Sequence, residues 1–64
     1  MNRSPECILN FYDQAVGERQ DIHIAVPAIP RIHELVVHSD KYYRIVDVIY
    51  TSGYNTVELV AEKL

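Results

Sequence analysis

Cys7 is the only cysteine in a chain of 64 residues, and that closes most of the routes by which so short a sequence holds itself together. A disulfide framework needs pairs of thiols, and a cysteine-rich metal site needs several. A domain of this length buries only about 60% of the surface that its unfolded chain exposes. Ordering it costs on the order of 100 kcal/mol, at about 1.5 kcal/mol per residue, which a single small core barely offsets. Association with further copies is the simplest remaining source of stability, so a homo-oligomer is expected. A lone thiol points to a reducing compartment. The start Met1-Asn2-Arg3-Ser4-Pro5 has no apolar signal core, and no apolar run approaches the ~20 residues of a membrane span. The expectation is a cytoplasmic protein without a membrane partner.

With apolar residues at 48% and charged residues at 23%, the chain has the composition of a folded globular domain. Its apolar residues recur with the period of strands. Asp21-Ile22-His23-Ile24-Ala25-Val26 alternates strictly, which sets Ile22, Ile24 and Val26 on one face and His23 on the other. Thr56-Val57-Glu58-Leu59-Val60-Ala61 does the same with Val57, Leu59 and Ala61 inward, and Glu62-Lys63-Leu64 is left as a fraying tail. Leu35-Val36-Val37-His38 is a short β-branched run, and Ser39-Asp40-Lys41 supplies turn chemistry that joins it to the next strand as a hairpin.

That next strand, Lys41 to Thr51, does not alternate cleanly. One extra residue at Val46-Asp47, a β-bulge, brings Ile45 and Val48 to the same face and bends the strand. Tyr43 and Tyr50 then fall on the core side, while Tyr42, Arg44 and Tyr54 face water. Pro27 and Pro30 cannot donate to a ladder, so the segment around Ala28-Ile29 is a rigid extended connector. Gly17-Glu18-Arg19-Gln20 reads as a polar turn, and Ser52-Gly53-Tyr54-Asn55 as another. The first segment has two readings. Leu9 and Phe11 share a face if it is extended, whereas Ile8, Leu9, Tyr12 and Val16 fall at helical spacing behind a Ser4-Pro5-Glu6 cap. Four or five strands joined by tight turns predict an all-β fold: one domain over residues 1–64, a strongly bent five-stranded antiparallel sheet or small barrel, with its first segment strand or helix.

Val26-Pro27, Ile29-Pro30-Arg31-Ile32-His33-Glu34, Tyr43-Arg44-Ile45-Val46-Asp47-Val48 and Val57-Glu58-Leu59 together resemble the small Src-homology-3-like barrels of bacterial and bacteriophage orphan proteins. In those barrels a proline-containing loop enters a strand, a Tyr-x-Val-x-x-Val strand follows, and glycine often stands where this chain has His33. The resemblance implies an interaction module and no reaction.

Candidate chemistry is sparse. His23, His33 and His38 could seed a zinc site with Asp21, Glu34 or Asp40, but His33 and His38 are five apart and face opposite sides of an extended chain. No metal or other cofactor is expected. Cys7 lies in an apolar run without a cationic neighbour, the setting of an inert buried thiol rather than a nucleophile. Asp47, Glu58 and Glu62 make a solvated acidic face, with Asp47 guarding an apolar strand against aggregation. A net charge of −3 with scattered basic residues excludes a phosphate-tracking surface, so nucleic acid is not an expected partner.

The tyrosines are the most informative polar feature, because Tyr42, Tyr43, Tyr50 and Tyr54 cluster in one hairpin of a chain with no Trp and one Phe. Tyrosine and arginine are the residues that most often anchor protein interfaces. The expected docking face therefore comprises Tyr42, Arg44 and Tyr54, extended by Arg31 beside the stiff Pro30 and by His33. The expected function is non-catalytic binding to a larger host protein, such as a bacteriophage inhibitor of a host enzyme or defence complex. The alternative is a homo-oligomer that binds or sequesters a small ligand, for example a nucleotide.

Overall fold

The computed structural model describes residues 6–64, and the Ser4-Pro5 part of the helical cap lies outside them. Five strands form one strongly curled half-barrel sheet: β1 (Glu6–Asp13), β2 (Glu18–Ile24), β3 (Leu35–His38), β4 (Lys41–Tyr50) and β5 (Thr56–Lys63). No helix interrupts the described residues, and none is long and apolar enough to cross a membrane. The first segment is a strand because period 2 puts three apolar residues in the core at once. Cys7, Leu9 and Phe11 are buried while Ile8, Asn10 and Tyr12 face the other way.

The strands lie in the order β2-β1-β5-β4-β3. The pairs β1–β2, β3–β4 and β4–β5 are antiparallel as expected, but β1 and β5 pair in parallel, with Leu9 opposite Leu59. The correction has a topological cause. An N-terminal hairpin and a C-terminal meander are joined by a connector, residues 25–34, that leaves one edge of the sheet and enters the other. The connector carries Pro27 and Pro30, and its Val26 and Ile29 pack against the core. Residues 27–30 thus cover the buried face without joining the ladder, as two missing N–H donors require.

The core consists of Cys7, Leu9, Phe11, Val36, Tyr43, Ile45, Val57, Leu59 and Ala61. The β-bulge lies where the broken alternation places it: Ile45 pairs with Ala61 and Asp47 with Val60, leaving Val46 unmatched. Ile45 and Val48 consequently share the inner face. Tyr43 is buried, and its ring packs on Phe11 at 4.7 Å between centroids. Tyr50 departs from expectation. It pairs with the inward Val57 yet is 67% exposed.

Two boundaries also differ. The first turn is residues 14–17, not 17–20, because the Asp13 carbonyl accepts from both Val16 and Gly17 while its carboxylate caps the Ala15 N–H. Glu18, Arg19 and Gln20 then pair with Asp13, Tyr12 and Phe11, and β2 stops at Ile24, before the connector. At the other end, the chain is tied down rather than frayed. Lys63 Nζ lies 3.3 Å from Asp13 Oδ2 and over the Phe11 ring, and the Leu64 N–H donates to the Tyr42 carbonyl at 2.9 Å.

Five described residues have positive φ, and the glycines fill only two of these positions, Gly17 and Gly53. The other three, His33, Ser39 and Asp40, bracket the four residues of β3. His33 (φ 78°) is the third residue of a turn closed by the Glu34 N–H donating to the Arg31 carbonyl. Its own N–H donates to Ile45 O, and Ile45 N–H donates to Glu34 O. This is the bulge geometry whose first residue is ordinarily glycine. Ser39 and Asp40 (φ 50° and 64°) form a two-residue hairpin of the type that favours Asn-Gly. Left-handed backbone is costly for residues with a Cβ. His33→Gly, and separately Ser39→Asn with Asp40→Gly, should each raise stability by about 1 kcal/mol, after the extra chain entropy of glycine is offset. Urea unfolding checks this; a loss of stability in both would contradict the backbone conformation at β3.

Candidate protein-docking face

The two surfaces of the sheet follow from strand phase. Once Tyr43 and Ile45 point inward, Tyr42 and Arg44 must point outward, and the register sets Val37 opposite Tyr42, Leu35 opposite Arg44, and Glu62 on the far side of Arg44. Leu35, Val37 and Tyr42 are 49%, 60% and 53% exposed, which places three large apolar side chains next to one another in water. Leu64, also exposed, is held beside them by its bond to Tyr42. A planar cation at Arg44 and a carboxylate at Glu62 complete a mixed apolar and charged surface of the kind interfaces use.

The expected site residues do not all meet. Tyr42 and Arg44 lie together on this face. Tyr54 is 74% exposed but belongs to the turn at the opposite end of β4, closed by its N–H donating to Thr51 O. Tyr42 and Tyr50 alone are separated by roughly 26 Å of strand at ~3.3 Å per residue, and Tyr54 lies past Tyr50. Tyr54 instead lines a shallow hollow with Ile8, Asp21, Thr51, Thr56 and Glu58. Arg31 and His33 are exposed in the turn that leads into β3, where the Arg31 N–H donates to Glu34 Oε1 at 2.6 Å. They approach the face along the chain at the Leu35 end. Leu35 and Val37 themselves were not among the expected residues. Their signal was present in the sequence: a four-residue run can bury only alternate residues, and burying Val36 exposes both neighbours.

The opposite edge of the sheet has a different character. Arg19 donates through Nε to Asn10 Oδ1 at 2.7 Å, Asn10 donates to Asp21 Oδ1, and His23 Nδ1 lies 2.7 Å from Glu6 Oε1. The side chains of Arg19, Asp21 and His23 are thus occupied across the β1–β2 pair, and charge guards that edge. No such set accompanies β3.

Among the described residues no three His, Cys, Asp or Glu side chains come together to hold a metal ion. Cys7 is 1% exposed, and burial pushes its thiol above the ordinary value, disfavouring the nucleophilic thiolate. No known protein family, characterised protein or solved structure matches the chain.

Proposed function

We propose that this protein is a non-catalytic binding module that docks on a larger protein through the outer face of the β3–β4 end. The observation that carries this is the placement of Leu35 and Val37, on an edge strand bracketed by three non-glycine residues in left-handed backbone, beside Tyr42 and Arg44 of β4, with Leu35, Val37 and Tyr42 49%, 60% and 53% exposed. Strained backbone concentrates where structure is held for a purpose other than stability. A large apolar group in water rimmed by charge is the usual mark of an interaction site. Inhibition of a host enzyme or defence complex by a bacteriophage protein is the setting we favour, because a module this small acts most simply by covering a partner's surface.

Nucleotide sequestration is less well supported. The hollow beside Tyr54 carries Asp21 and Glu58, whose carboxylates repel phosphate, and it is open to water.

The test compares proteins retained from a host lysate by immobilised wild-type chain, Tyr42→Ala and Arg44→Ala, each first shown to keep its thermal midpoint. One stoichiometric partner should be retained by the wild type and lost by both variants. With that partner purified, each truncation should weaken binding by about 1–3 kcal/mol. Folded variants that retain the partner at wild-type affinity would remove this face from consideration.

A further inference from the structure

We infer that β3 pairs with β3 of a second copy of this chain, antiparallel and centred on Val36, so that two copies present one continuous docking face across a two-fold axis. This rests on the reading of the β3–β4 end as the docking face and deepens it.

The hydrogen-bond phase of β3 comes first. Two residues, Ser39 and Asp40, connect β3 to β4, so His38 and Lys41 form the closing hydrogen-bonded pair of the hairpin. Every second residue then bonds to β4, which makes Val36 opposite Tyr43 the next such pair. Ile45 N–H donating to Glu34 O at 3.0 Å confirms the phase one step further. It follows that the N–H and C=O groups of Leu35 and Val37 point away from β4, toward the free edge. That edge can be reached. The connector stands beside β3 across an open hollow, lined by Pro27, Ile29 and Pro30 on one side and by Val36 and Val37 on the other.

A partner strand must match that phase and the two faces. Residues opposite one another in an antiparallel pair point to the same face, so a two-fold axis has to pass through a residue, not between two. With the axis at Val36, Leu35 of each copy lies opposite Val37 of the other. Both are residues with free backbone groups, so four hydrogen bonds form and none of the four edge groups of either copy is left over. An axis at Val37 would set Leu35 against Ser39 in the strained turn instead. The Val36 register also places Glu34 of each copy opposite His38 of the other, two symmetric carboxylate–imidazole pairs on the inner face. On the outer face Leu35, Val37 and Tyr42 of the two copies become contiguous. On the β2 edge the charged side chains of Arg19 and Asp21 are already engaged with Asn10 of β1.

Sedimentation equilibrium of the full chain, with variants, tests this. The wild type should sediment as a dimer of 7.4-kDa chains at about 100 µM, and the Leu35 and Val37 amides should become slower to exchange as concentration rises. Val37→Pro removes a donor that faces the edge and leaves the bonds to β4 in place, so it should abolish the dimer. His38→Glu is the second variant, chosen because it sets a carboxylate opposite Lys41 within the hairpin and so keeps the monomer folded. Across the axis it opposes Glu34, and it should weaken the dimer by roughly tenfold, whereas His38→Lys should leave it intact. A wild type that is monomeric at about 1 mM overturns the inference, as does a dimer unaffected by His38→Glu and by a folded Val37→Pro. If the wild type is monomeric yet loses its protein partner on Tyr42→Ala, the dimer is refuted and the docking face stands.

Discussion

Leu59→Ala is expected to lower the free energy of unfolding by about 3–5 kcal/mol, at the upper end of the range for a buried leucine. Leu59 is fully buried on the central strand, opposite Leu9 of β1 on one side and Val48 of β4 on the other. It is therefore the side chain through which the N-terminal hairpin and the C-terminal meander share one core. The backbone on both sides is held by ladders, so the cavity cannot collapse, and uncollapsed cavities give the larger losses. A chain of this length has a total stability of roughly 3–10 kcal/mol, and the truncation removes a large part of it. Val48→Ala is the useful comparison, since Val48 is only partly buried at the edge of the core and should lose about 1–2 kcal/mol. Equilibrium unfolding in urea measures both. Equal small losses would mean that the two halves do not meet at Leu59.

Most of the core could be read from the sequence because period 2 is an unambiguous signal wherever polar residues interrupt it. Glu58 between Val57 and Leu59, and His23 between Ile22 and Ile24, set the faces of β5 and β2 outright. In β4 the same logic works through its failure: Ile45, Val46, Val48 and Ile49 leave no regular phase, and a bulge at Val46 restores one. What could not be read is which strands meet. The parallel β1–β5 pair joins segments about fifty residues apart in sequence, and no local pattern specifies a contact whose reward comes only after that loop is closed. The order of the C-terminal tail is hidden from the sequence for a related reason. Lys63 and Leu64 are ordered by Asp13, Phe11 and Tyr42, all distant in the chain.

The proposed docking face divides in the same way. That Tyr42 and Arg44 are exposed and share a side follows from their spacing of two and from the burial of Tyr43 between them. That Tyr54 is not their neighbour follows from length, since β4 runs ten residues before the turn that carries it. His33 shows a third case. Its left-handed backbone is demanded by the turn into β3, and the sequence signals that demand only faintly, because glycine, the residue that would announce it, is absent.

Two neighbouring tyrosines should separate folding from binding. Tyr43→Ala is expected to lower stability by about 3–5 kcal/mol, as for the loss of a large buried aromatic ring. Tyr43 is 3% exposed, packs its ring on Phe11 and lies opposite Val36 and Lys63, so its loss opens the core beneath the hairpin. The ring pair itself should appear as a coupling of about 0.5–1.5 kcal/mol in a double-mutant cycle with Phe11→Ala. Tyr42→Ala, one residue away, should cost less than about 1 kcal/mol of stability because half of its ring is already in water. Binding should follow the opposite order. In Tyr43→Ala any weakening should track the unfolded fraction and recover on cooling or with osmolyte, since the proposed contact residues are still present. In Tyr42→Ala the protein stays folded and the loss persists under every condition that stabilises it. Stability and affinity measured on the same samples decide the matter: if Tyr42→Ala unfolds the domain, or if Tyr43→Ala loses affinity while fully folded, the outer face of β4 is not where the partner docks.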